Sequence, residues 1–122
     1  MKSKSFSIRA RANSFRFAWE GIYKFFSREH NAWLHLAASV TVFIAAWRFH
    51  ISQNEIISLI IVIGFVWVAE IFNTAIEKIM DFISPERHSE VKFIKDMAAA
   101  AVLIAALIAL LTGGLIFIPK LF

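Results

Sequence analysis

Residues 56–81 read Ile56-Ile57-Ser58-Leu59-Ile60-Ile61-Val62-Ile63-Gly64-Phe65-Val66-Trp67-Val68-Ala69-Glu70-Ile71-Phe72-Asn73-Thr74-Ala75-Ile76-Glu77-Lys78-Ile79-Met80-Asp81. The first fourteen residues carry no charge. After them Glu70, Asn73, Thr74, Glu77 and Asp81 recur at steps of three and four, which place them on one stripe of a helix. The apolar half predicts a membrane-crossing helix, because a helix rises about 1.5 Å per residue and a hydrocarbon layer is about 30 Å thick. If Ile56 enters at the far interface, Glu70 lies roughly 21 Å into that layer and Glu77 lies near its other surface.

Outward from this stretch, Ala32–Trp47 and Met97–Ile118 are also free of Lys, Arg, Asp and Glu. Over the 122 residues 59% are hydrophobic and 18% charged, far from the balance of a soluble core. The chain therefore reads as an all-α membrane protein of one domain, residues 1–122. Transmembrane helices are expected at about 31–50, 55–83 and 95–118. Ahead of them Phe15, Trp19, Ile22 and Phe26 face one way while Arg9, Asn13, Arg16, Glu20, Lys24 and Ser27 face the other. That pattern predicts an amphipathic helix over about 9–28, lying in the interface. The alanines Ala98–Ala101, Ala105, Ala106 and Ala109 of the last span suit close helix packing.

Seven Lys or Arg precede the first span, and Lys78, Arg87 and Lys92 lie at or after the end of the second, against Arg48 and Lys120 at the far ends of the spans. Positive loops stay inside, so the N-terminus and residues 84–92 are expected in the cytoplasm and the C-terminus on the opposite face. The basic N-terminal segment lacks the apolar core and small-residue cleavage site of a signal peptide, so it is expected to remain in the mature chain. The absence of cysteine excludes disulfide frameworks and thiolate catalysis. The net charge of +4 reflects loops facing anionic lipid, and no nucleic-acid partner is expected.

Carboxylates inside the hydrocarbon cost on the order of 3 kcal/mol, so a helix keeps them when they are paired or used. A purely structural reading pairs them with His35 or Lys95. A functional reading notes that Glu29, Glu77, Lys95 and Asp96 all fall at cytoplasmic helix ends, where oxygen ligands for Mg²⁺ and a cation against phosphate charge serve phosphoryl transfer. Glu70, deeper, suits a general base for a hydroxyl that stays in the membrane. No G-x-x-x-x-G-K-[ST] loop exists, which excludes a Walker-type site, and the histidines have no metal-ligand spacing.

The segment Glu70-Ile-Phe-Asn73-Thr74-Ala-Ile-Glu77-Lys-Ile-Met-Asp81, then Ile83-Ser84-Pro85-Glu86-Arg87-His88 and Lys95-Asp96-Met-Ala-Ala-Ala-Ala-Val-Leu, resembles the bacterial diacylglycerol kinase and undecaprenol kinase family. The similarity runs over about residues 9–120. It implies a homotrimer of the bacterial inner membrane that phosphorylates a lipid hydroxyl with ATP and Mg²⁺, its active sites at subunit boundaries near the cytoplasmic face. By the same resemblance Glu70 is the general base, Glu29 and Glu77 hold the ATP-bound metal, Asn73 is a polar group of the lipid site, and Glu86, Arg87, His88, Lys95 and Asp96 contact the nucleotide. Two positions depart from the proteobacterial branch. Phe17 stands where a nucleotide-contacting Tyr is found, and Ala10 stands where a substrate-site Arg is found, leaving Arg9 or Arg11 to substitute. The run Glu29-His-Asn-Ala-Trp-Leu-His35 and the Ser84-Pro85-Glu86 turn resemble the undecaprenol kinase branch more closely. A proton-coupled small transporter is the competing reading, but it requires polar groups at both ends of a path, and the far ends carry only Arg48, His50, Glu55 and Lys120. A non-catalytic membrane subunit is the third.

Overall fold

The structure, a computed structural model, describes residues 6–86 and 88–122. Four helices follow one another: α1 Ile8–Arg28, α2 His30–Arg48, α3 Gln53–Ile83 and α4 Ser89–Leu121. The chain forms two compact units, one ending at Ala38 and the other beginning at Ser39.

In the first unit the Ser7 hydroxyl caps α1 by accepting from the Ala10 N–H at 3.3 Å. The helix ends at Glu29, whose extended backbone still donates to the Phe25 carbonyl at 3.0 Å, while its own carbonyl accepts from Ala32 at 3.3 Å. The elbow into α2 is held by Trp33, whose Nε1 donates to the Phe26 carbonyl at 2.8 Å and whose ring meets Phe26 edge-on at 5.4 Å. Phe25 and Ala32 are buried at this elbow, while Phe15, Trp19 and Tyr23 are exposed.

In the second unit α3 and α4 form an antiparallel pair, with Lys120 of α4 bonded to Glu55 at the start of α3 (3.0 Å) and Lys95 of α4 bonded to Asp81 near the end of α3. The turn from α2 into α3 closes as a Schellman motif. His50 sits in the left-handed region (φ 52°), Ile51 donates to Ala46 O, and His50 donates to Trp47 O, both at 3.3 Å. The apolar contact this motif favours is present, because Ala46 and Ile51 are both buried together with Leu59 and Ile116. Ser52 and Glu55 then start α3 with a reciprocal capping box, at 3.2 and 2.9 Å. Trp67 Nε1 donates to Ser39 Oγ at 3.0 Å and so ties the middle of α2 to the middle of α3.

Helix α3 stops at Ser84, whose N–H still reaches Met80 O at 2.9 Å, because Pro85 cannot supply the next backbone donor. His88 opens α4 by accepting from the Glu90 N–H through Nδ1 at 3.1 Å. Among the described residues two helices, α3 with 31 residues and α4 with 33, are long and apolar enough to cross a membrane. At about 1.5 Å per residue both exceed the roughly 30 Å of hydrocarbon, so their ends reach beyond it. The shorter α2, diluted by His30, Asn31, His35, Ser39 and Thr41, does not meet the same measure.

Candidate active site

The α3 stripe is built as its spacing predicts. Glu70 is buried, 8% exposed, and is the buried charged residue among those described. One and two turns further on, Asn73 and Glu77 are half-buried, and Asn73 Nδ2 donates to Glu77 Oε1 at 3.1 Å. This bond fixes the amide, since the opposite orientation would set the carbonyl oxygen against the carboxylate. The amide oxygen, Asn73 Oδ1, is then buried with no hydrogen-bond partner. Asn73 also borders an apolar cleft of about 230 Å³ between α3 and α4, walled by Phe65, Phe72, Ile76, Ala98 and Ala101. The alanines of α4 leave this space because a methyl group is too small to fill it.

At the loop end of the same helix pair a second cleft, of about 490 Å³, is lined by Pro85, Glu86, His88, Lys92, Lys95 and Asp96 among others. Glu86, His88, Lys95 and Asp96 are thus brought together, whereas Arg87 lies outside the described residues. His88 both borders the cleft and caps α4. Lys92 pairs with Asp96 one turn along α4, and Lys95 pairs across to Asp81 on α3. Lys95, considered as a partner for the carboxylates within the hydrocarbon, instead meets Asp81, the last carboxylate of the stripe.

The remaining candidates belong to the first unit. Glu29 is half-buried at the elbow. Phe17 is 59% exposed with the Arg16 guanidinium 5.1 Å from its ring centre, Arg11 lies 5.5 Å from the Phe6 ring, and Arg9 is exposed. Among the described residues no three His, Asp or Glu side chains gather as a ready-made metal cage. The donor chemistry still fits Mg²⁺ delivered with a nucleotide, because that ion takes one or two carboxylates and completes its shell with phosphates and water. Glu77, held by Asn73, is a carboxylate of that kind.

Three contacts were not read from the sequence, the Asp81–Lys95 pair, the Asn73–Glu77 bond and the His88 cap. Asp81 was legible only as a member of the stripe, and its link to Lys95 needed the hairpin. The Asn73–Glu77 bond was available in the four-residue spacing. The capping role of His88 was signalled by its place just before a helix whose first turn contains Glu90.

A family model described as prokaryotic diacylglycerol kinase matches residues 16–117. The chain is 35% identical over 109 residues to a diacylglycerol kinase of Synechocystis sp., an alignment covering 88% of this chain and 62% of that protein. The chain thus spans under two thirds of that relative's length. It is 38% identical over 108 residues to the undecaprenol kinase of Bacillus subtilis, covering 88% of each. To a diacylglycerol kinase of Escherichia coli it is 33% identical over 104 residues, 79% of each. With the family pattern matched from within α1 to near the end of α4, the chain belongs to the prokaryotic diacylglycerol kinase family of lipid kinases.

Proposed function

We propose that this chain transfers the γ-phosphoryl group of ATP to the hydroxyl of a membrane lipid, with undecaprenol as the preferred acceptor and diacylglycerol as the lesser one. The observation that carries the reading is the placement of Glu70. It is a buried carboxylate on the same helix stripe as Asn73 and Glu77, and that helix ends beside a cleft lined by Lys95 and Asp96. Glu70 accepts the hydroxyl proton, the freed oxygen attacks the γ-phosphorus, and ADP leaves toward the loop cleft, where Lys95 faces the phosphate charge. Glu86, Arg87, His88 and Asp96 hold the rest of the nucleotide. Glu77 and, by the family resemblance, Glu29 would each offer a carboxylate to the Mg²⁺ that accompanies ATP, an ion that would neutralise charge on the phosphates.

The same proposal places α1 in the cytoplasmic interface, where its exposed Phe15, Trp19 and Tyr23 enter the headgroup region, and makes α2 the third span. It places residues 84–92 in the cytoplasm of a bacterial cell and the C-terminus on the other side of the inner membrane. The working form is a homotrimer. Support for undecaprenol comes from the Ser84-Pro85-Glu86 turn, from the Glu29–His35 run, and from the 88% mutual coverage with a protein named undecaprenol kinase.

The test is kcat/KM for undecaprenol, diacylglycerol and glycerol, measured with labelled ATP and purified protein in the same mixed micelles. Undecaprenol is expected to exceed diacylglycerol, and glycerol to be a poor acceptor. A preference for diacylglycerol overturns the choice of acceptor. Efficient glycerol phosphorylation overturns an acceptor hydroxyl presented from within the membrane.

A further inference from the structure

Lys95 sits in the second turn of α4, and that helix offers it no carboxylate. The positions three and four residues away are Val91, Lys92, Ala98 and Ala99, so the helical neighbours supply one like charge and three apolar groups. The nearby Asp96 is bonded to Lys92. The partner of Lys95 comes instead from the end of α3, where Asp81 Oδ1 meets its Nζ. Asp81 is 61% exposed and Lys95 only 34%, so the carboxylate stands at the rim and the ammonium further in, against the cleft it lines.

We propose that Asp81 is a positioning residue that aims the Lys95 ammonium into the loop cleft for the phosphates of ATP. The inference rests on the reading that this cleft takes the nucleotide. A lysine is a point charge on a four-carbon stem, and without a fixed counter-ion its head samples many positions, here biased away from Lys92. One of the three ammonium donors is used by Asp81, and the others stay available for phosphate oxygens. Asp81 itself repels a phosphate, so its favourable effect passes through Lys95. A hold of this kind lowers the ordering cost of binding.

The experiment measures binding of a non-hydrolysable ATP analogue with Mg²⁺ to the purified protein carrying Asp81→Ala, Lys95→Ala or both. Asp81→Ala is expected to raise Kd about threefold to fivefold, the upper part of what an exposed pair carries, with the lipid KM unchanged. In the Lys95→Ala background the same substitution is expected to change nothing further, because the carboxylate then has no ammonium to aim. Asp81→Asn, which keeps the shape and an acceptor oxygen, is expected to show a smaller loss that also vanishes without Lys95. An equal loss in both backgrounds overturns the proposal, because Asp81 would then act on its own. Tighter binding in Asp81→Ala overturns it too, by showing the carboxylate competing with phosphate for the ammonium. If Lys95→Ala alone binds the analogue normally, the nucleotide reading of the cleft falls together with the proposal. If Lys95→Ala weakens binding and Asp81→Ala does not, only the positioning role falls.

Discussion

Replacing Asn73 with alanine separates two roles that its amide can play. The side chain gives one bond to Glu77 Oε1, at 3.1 Å, and keeps a buried oxygen that bonds to nothing. Losing a hydrogen bond to a carboxylate costs about 1.5–3 kcal/mol, while removing a buried, unsatisfied acceptor returns about 1–3 kcal/mol. The two nearly cancel, so Asn73→Ala is expected to change the stability of the inserted protein by less than about 1 kcal/mol. Catalysis has no such compensation. If Glu77 holds the ATP-bound ion, removing the group that orients it weakens metal use by about tenfold to a hundredfold, as loss of such supporting bonds does at other metal sites. The assay is initial rate against Mg²⁺ at saturating lipid and fixed total ATP, with thermal unfolding in the same micelles as the stability control. A half-saturating Mg²⁺ concentration raised at least tenfold, with unfolding nearly unmoved, is the expected pair of results. Unchanged Mg²⁺ dependence together with a raised lipid KM refutes the reasoning, and leaves Asn73 as a group of the lipid site alone.

Glu70→Gln keeps the shape of the side chain and removes its basicity, so the phosphorylation rate is expected to fall by about 10²- to 10⁴-fold while the protein still inserts and assembles; loss of assembly together with activity would point to a structural role. Because the chain has no cysteine, single cysteines at Ser84 and Leu121 can be labelled from each side of the membrane, and they are expected to react from opposite faces. Reaction of both from one side would break the proposed topology. At His50, which holds a left-handed φ of 52°, His50→Gly is expected to be tolerated. His50→Val should lower stability by about 1 kcal/mol, as urea unfolding in micelles would register.

The helical course of the chain was legible because apolar runs and polar stripes are properties of spacing. The stripe of Glu70, Asn73 and Glu77 was read this way. The start of α4 shows where that legibility stops. Apolar content suggested a span from about 95, yet the helix runs from Ser89. Its first turns are polar, and they are held by the His88 cap and the Lys92–Asp96 pair rather than by lipid. Asp81 illustrates a second limit. Fourteen residues separate it from Lys95, and only the folding back of α4 on α3 makes them neighbours. The left-handed turn at His50 was hidden for a third reason, since the residue that usually marks such a turn, glycine, is absent there.

The cluster of Ala46, Ile51, Leu59 and Ile116, with the Glu55–Lys120 pair close by, anchors one end of the α3–α4 pair. From Leu59 to Asp81 the rod is about 33 Å long at 1.5 Å per residue. A pivot of about 5° at the anchored end therefore sweeps the other end through about 3 Å, the length of a hydrogen bond. Leverage of this size gives remote side chains such as Leu59 and Ile116 a say in how Asp81 and Lys95 meet. If the loop cleft takes the nucleotide as proposed, substitutions at these remote positions shift its affinity without touching the cleft, and a screen confined to residues lining it would overlook them.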